Sequence, residues 1–267
     1  MYAFFQRHLN NPGSPQEQDL ELLSNEEMQV TATGQVATAR EGETVFSLNS
    51  RRADRQLREL NARRKDLKRH LAQVLCSARQ LSGYREPQEL QEPVFTGKIR
   101  REGFVIEKYF IRGEGGYPIP YLLFRPNKPT NKAVLYLHPD GKIGEAEEGD
   151  ELRWLALNGY TVLIPDLVGI GEMGPGDLAN YTTQVQRFES TSFDIWPLSV
   201  LLGRSIVGIR AGDVVRLSRL LERQPEIDQV YGVARDEMAP VLLHAAAFEP
   251  GIRLIRPIGS VQSMVPW

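Results

Sequence analysis

The stretch with the most chemical content is VYGVARDEM, residues 230–238. Apolar residues run into a glycine, a few polar residues follow, and then comes an apolar helical pattern, EMAPVLLHAAAF. A strand that turns sharply into a helix lifts one side chain clear of the sheet. A hydroxyl at the centre of such a turn, written Gly-x-Ser-x-Gly, is an exposed nucleophile. Here the five positions read Gly232, Val233, Ala234, Arg235 and Asp236. The central slot therefore holds Ala234, whose methyl group has no lone pair with which to attack an acyl carbon. Gly232, Val233 and Asp236 keep the form of the turn.

A serine mechanism also needs a base that a third group orients. The chain has four histidines. His244 falls inside the helix that follows the turn and reads as structural. His138 closes an apolar run and reads as a residue that shapes its loop. His8 and His70 have no acid or nucleophile pattern beside them. Asp140 and Asp236 are carboxylates near the expected site, but the template puts neither at the tip of the turn. Ser205, after Gly203, reads as a helix N-cap, and Tyr231 lies within a strand.

The elements that would position these residues alternate along the second half of the chain. FVIEKYFIR (104–112) and YPIPYLLFRP (117–126), separated by GEGG, read as an antiparallel hairpin. KAVLYLH (132–138) and TVLIPD (161–166) are continuous apolar runs of the kind buried on both faces of a parallel sheet. Between them DELRWLALNGY (150–160) is a short helix ended by Asn158-Gly159. SIVGIRAGDVVRLSRLLER (205–223) is a long amphipathic helix. DQVYGV (228–233) is a third parallel strand, 237–248 a helix, and IRLIRPIG (252–259) a fourth strand. The pattern predicts an α/β fold with a doubly wound, mainly parallel sheet, behind a helical and irregular N-terminal segment. Ligands of such sheets sit at the carboxyl ends of the strands. This singles out His138, Pro139, Asp140 and Gly141 after one strand, and the turn at 234–236 after another.

The order of hairpin, YLHPDGK, VLIPDLVGIGE, GRSIVGIRAGDVVRLSRLL and strand-turn-helix resembles the α/β-hydrolase superfamily. More narrowly it resembles its acetyl-xylan-esterase-like and dienelactone-hydrolase-like members, over about 100–262. The resemblance implies an esterase ancestry, a ligand that is an acylated carbohydrate or small ester, and no cofactor or metal. It implies an oxyanion hole with one backbone N–H from His138 to Gly141 and a second from Arg235. It also implies a catalytic acid and histidine in loops after later strands, and no histidine follows His244 here. The expectation is an α/β-hydrolase-family chain, incomplete at its C-terminal side, that does not hydrolyse esters by a serine mechanism. The alternative is a non-catalytic module that binds a carbohydrate or stabilises a tandem esterase. The strand 252–259 would then be an open edge.

The first part of the chain reads differently. MYAFFQRHLNNPGS is a short helix stopped by NNPGS, and 11–50 has no sustained period, with EMQVTATGQV as a short extended piece. Residues 51–83 form one helix with an apolar stripe through Leu57, Leu60, Leu67, Leu71, Val74, Ala78 and Leu81. The expected division is 1–50, 51–95 as a linker helix, and 96–267 as the hydrolase-like domain. The segment 1–45 resembles the last helix and tail of the same esterase family, which would make it the end of an upstream hydrolase domain. The rival is that 1–10 folds back onto the one sheet.

Bulk properties exclude several classes. The 267 residues are 41% hydrophobic and 25% charged with a net charge of −2, so there is no global basic field for nucleic acid. Nine Lys or Arg against three Asp or Glu between 51 and 69 make a basic helix face, but no aromatic residue interleaves with them. No apolar run reaches a membrane span, and the N-terminus has no signal-peptide core, so a soluble chain is expected. The single cysteine, Cys76, is expected as a buried inert thiol. EAEEGDE (145–151) reads as an acidic helix start that matches no calcium loop. GIGEMGPG (169–176) lacks the Lys-Ser/Thr ending of a phosphate loop.

Overall fold

The structure is a computed structural model that describes residues 1–16, 19–40, 42–88, 90–142, 150–174 and 195–259. The chain divides into two compact units, Met1–Leu67 and Lys68–Trp267. No described residue of the first unit is buried. It holds α1 (Tyr2–His8), α2 (Val36–Arg40) and α3 (Val45–Arg63). Thr44 caps α3: its hydroxyl accepts from Ser47 N at 3.1 Å, and Ser47 Oγ accepts from Thr44 N at 3.0 Å. The stretch EMQVTATGQV is turned rather than extended, and Gly34 takes a positive φ of 68° within it. The single helix expected over 51–83 is two. α3 ends at Arg63, tight bonds from Lys65 N to Ala62 O and Asp66 N to Arg63 O close it, and α4 (Leu67–Ser82) starts after Asp66.

The second unit is built on a seven-stranded sheet. Its strands are β1 (Val94–Arg101), β2 (Phe104–Arg112), β3 (Pro118–Pro126), β4 (Lys132–Leu137), β5 (Thr161–Pro165), β6 (Gln229–Arg235) and β7 (Ile252–Ile258). The order is β1-β2-β3-β5-β4-β6-β7, antiparallel from β1 to β5 and parallel from β5 to β7. The centre lies at β4 and β5, whose residues are almost all buried, as continuous apolar runs require.

Helices cover both faces. On one, α7 (Ile206–Glu222) and α8 (Ala239–Phe248) pack Val214, Leu217, Leu221, Val241, Leu242 and Ala245 against Leu135, Leu137, Leu163 and Val230. On the other, α5 (Asp150–Leu157) places Leu152 and Ala156 against Phe124, Val134, Tyr136, Val162 and Ile164. Ser205 is the N-cap of α7, accepting from Gly208 N at 3.0 Å. α6 (Ile195–Leu201) precedes it.

The end of α4 docks on this core. Ser205 N donates to Ser82 O at 3.0 Å, and a Cβ on Gly208 would collide with that same carbonyl. Arg79 donates to Phe248 O at 3.0 Å and lies over the Tyr84 and Phe248 rings. Of the stripe, Leu67, Leu71, Val74 and Leu81 are exposed, and so is Leu75 beside it. Cys76 is exposed too, against the buried thiol expected. β7 is the last strand among the described residues and exposes Leu254 between Arg253 and Arg256. Among the described residues no helix is long and apolar enough to cross a membrane.

Candidate functional site

The carboxyl ends of β4, β5, β6 and β7 deliver His138, Asp166, Asp236 and Gly259 to one rim of the sheet. β6 runs further than VYGV suggests. It continues through Ala234 and Arg235, pairing Ala234 with Leu137 on one side and Pro257 on the other. Ala234 is a completely buried strand residue. The turn comes two residues later. Asp236 has φ 46°, in the left-handed region that a non-glycine residue rarely occupies, and it opens a tight turn, Asp236–Met238, that feeds α8. Its side chain is exposed, and a Cβ on Gly259 would collide with its carboxylate.

The expectation that placed the nucleophile slot at Ala234 and kept Asp236 off the tip is corrected by this register. Gly232 is no part of the turn. It lies buried in the strand, where a Cβ would stand 2.6 Å from a Leu242 methyl, so its role is to let α8 approach the sheet. Val233 is an ordinary strand residue beside it. On α8, Val241 and Leu242 are buried and Leu243 is exposed.

The loop after β4 was expected to donate to an oxyanion. The N–H groups of Asp140, Gly141 and Lys142 are engaged internally. Pro139 has none to give. Asp140 N donates to His138 Nδ1 at 3.2 Å, Gly141 N to His138 O at 3.0 Å, and Lys142 N to Asp166 Oδ1 at 2.8 Å. His138 is buried and shapes its loop through both contacts. Arg235, the other expected donor, is inside β6. Its guanidinium bonds Tyr136 Oη at 2.6 Å and Glu151 Oε2 at 2.7 Å, and Tyr136 donates to the same carboxylate oxygen at 2.7 Å. Burial pushes the Glu151 carboxyl up, but the bonds from Arg235 and Tyr136 outweigh it and hold the group below its usual range. The rest of the acidic run, 145–149, lies outside the described residues. His244 Nδ1 is 2.7 Å from Pro240 O on its own helix.

Two buried groups were not singled out in the sequence. Asp166, fully buried after β5, accepts from Lys142 N, from Lys142 Nζ and from Glu172 N at 2.9 Å. Lys142 Nζ also meets Glu172 Oε1 at 2.6 Å. Gly141 and Gly171, at φ 68° and 54°, wrap this carboxylate so closely that a Cβ on either would collide with it. Thus GIGEMG wraps a carboxylate of its own chain, and residues 175–176 of that motif lie outside the described residues. The second group is Asp213 on α7, 1% exposed, which accepts from Tyr117 Oη at 2.9 Å and 3.0 Å. Burial raises its pKa to about 7, against the opposing effects of the Tyr117 hydrogen bond and the Arg216 charge. On the same helix Arg210 donates to Val168 O at 2.9 Å. Burial lowers its pKa to about 10, against the pull of Glu237 and Asp213.

No family model matches the sequence, and no curated protein matches it. Solved structures do. A Bacteroides fragilis protein assigned as an acetyl xylan esterase superposes with a TM-score of 0.59 at 17% identity, over 72% of this chain and 53% of its own. A methylesterase superposes with a TM-score of 0.50 at 16% identity, over 76% of this chain and 42% of its own. The chain thus has the α/β-hydrolase fold and spans about half the length of these neighbours.

Proposed function

We propose that this chain is an α/β-hydrolase domain of the carbohydrate-esterase type that does not cleave esters by a serine mechanism. It serves instead as a non-catalytic module that binds an acylated carbohydrate or small ester, or stabilises a tandem esterase partner. The observation that carries this reading is the turn after β6. Its exposed tip is Asp236, and the alanine two residues before it is sealed in the strand. Neither position offers a hydroxyl. The N–H groups of the loop after β4 add support, because Asp140, Gly141 and Lys142 spend theirs on acceptors within the protein. A preorganised oxyanion hole needs donors that are not already satisfied.

The test is hydrolysis of 4-nitrophenyl acetate by the purified chain, followed beside Ala234→Ser and Asp236→Ala. No turnover above buffer is expected from any of the three. Ala234→Ser is expected to lose about 1–3 kcal/mol of stability as well, because its hydroxyl would be buried between two paired strands. Saturable turnover by the wild-type chain that vanishes in Asp236→Ala would overturn the non-catalytic reading. Turnover gained in Ala234→Ser would overturn the register that places the tip at Asp236.

A further inference from the structure

Among the described residues, α5 covers only part of its sheet face. α5 packs on β3 and β5, and beside it, over β1, β2 and β3, lies a groove of about 1090 Å3. That is slightly more than the roughly 300–1,000 Å3 that small-molecule sites enclose. Side chains alternate along a strand, so one face of β2 carries Phe104, Ile106, Lys108, Phe110 and Arg112 in turn. Register brings Ile99 of β1 beside Ile106, and Leu122 of β3 beside Lys108. The floor is therefore apolar, and Ile99, Ile106, Phe110 and Leu122 are only partly buried on it.

The charged residues around this floor are unbalanced. Arg101, Lys108, Arg112 and Arg153 line it against Glu102, and Arg153 comes from α5. Lys142 and Glu172 close one end, where the Lys142 ammonium is shared between Glu172 and the buried Asp166. None of the four flanking cations makes an ion pair among the described residues. Arg101 and Arg112 reach only the carbonyls of Arg100 and Gly116, at 3.4 Å and 3.3 Å. An apolar floor flanked by cations that make no ion pair among the described residues is complementary to a ligand with an apolar body and an anionic head. Thr96, Tyr109 and Tyr121 bring hydroxyls to the groove and Glu102 and Glu172 carboxylates, so a sugar is the competing ligand that the experiment has to separate.

We propose that this groove binds a single-chain amphiphilic carboxylate, a medium-chain fatty acid, with its chain along Ile99, Ile106, Phe110 and Leu122 and its carboxylate between Lys108 and Arg153 or Arg112. The site stands apart from the turn at Asp236, and its existence does not depend on whether that turn is catalytic. The experiment is calorimetric titration of the whole chain, below the micelle concentration, with dodecanoate, with dodecyltrimethylammonium, and with a uronic-acid oligosaccharide. Dodecanoate is expected to bind and the other two to leave no saturable heat. The double variant Lys108→Glu/Arg153→Glu is expected to weaken dodecanoate at least tenfold while keeping the wild-type Tm, since both side chains are exposed. Phe110→Asp is expected to abolish binding, and Tm is expected to rise with dodecanoate in the wild-type chain. Equal binding of the cationic amphiphile, undiminished affinity in the double variant, preference for the oligosaccharide, no heat with dodecanoate, or a Tm that dodecanoate lowers would each overturn the proposal.

Discussion

Replacing Asp166 by alanine is expected to cost the fold about 3–5 kcal/mol, the range for removing one partner of a buried ion pair. The carboxylate is fully buried and satisfies three donors: the Lys142 backbone N–H, the Lys142 ammonium and the Glu172 backbone N–H. Removing it leaves a largely buried ammonium facing a cavity and two backbone N–H groups without acceptors. It also empties the space around which Gly141 and Gly171 are wound. Asp166→Asn does not rescue this, because its NH2 group would confront a donor wherever it is turned. Lys142→Met alone should be costly too. The double variant Asp166→Ala/Lys142→Met should lose less than the sum of the two singles, because it leaves no buried charge unpaired. Urea midpoints with a constant m-value measure all three. Additive losses would mean that the two groups are not coupled.

Stability is also expected to fall as pH rises from about 4 to about 7, with Asp213 as the cause. Burial raises its folded pKa to about 7, well above the unfolded value near 4. A group whose folded pKa is raised contributes stability that is fully present below the unfolded pKa and is lost as pH rises through the folded one. Between about pH 4 and pH 7 the folded state holds a proton that the unfolded chain has released. The contribution therefore declines by about 1.4 kcal/mol per pH unit in that window. Asp213→Asn cannot titrate. The difference in unfolding free energy between the wild-type chain and this variant should shrink with that slope, then flatten above pH 7. Tyr117, Glu114, Arg210 and Arg216 are the charged or titratable neighbours that set the value. The reverse slope, with wild-type stability growing toward neutral pH relative to Asp213→Asn, would show that Arg216 and Tyr117 keep the carboxylate ionised in the fold.

The parts of the fold that were legible in the sequence are those where burial alone dictates pattern. KAVLYL and TVLIP are apolar on both faces and stand at the centre of the sheet, and the hairpin flanking GEGG pairs Arg112 with Pro118 across the turn. β1 was missed because VFTGKIRR is an exposed edge strand whose charges break the alternation. The α3–α4 break was missed because neither glycine nor proline marks it.

At the site, the five-residue template was anchored on the only glycine in view. Gly232 has a different task, making room for Leu242, so the template slid two residues toward the strand. The correcting signals were present in the residues. Pro240 lies in the first turn of α8, where proline is favoured, which puts the bend at 236–238. Asp tolerates the left-handed region better than most residues, which suits it to the tip. Asp166 was invisible as a site because a buried carboxylate is recognised by its partners, and Lys142 lies 24 positions earlier.

The central claim is that the elbow of this chain, which has the α/β-hydrolase fold, presents an aspartate and no activated serine. Its most direct test is treatment of the native chain with a fluorophosphonate, which forms a stable bond with activated serines, followed by intact-mass analysis. The expected result is an unmodified chain after prolonged incubation, with wild-type Asp236 and Asp236→Ala indistinguishable. A stoichiometric phosphonyl adduct mapped to one of the chain's own serines would contradict it.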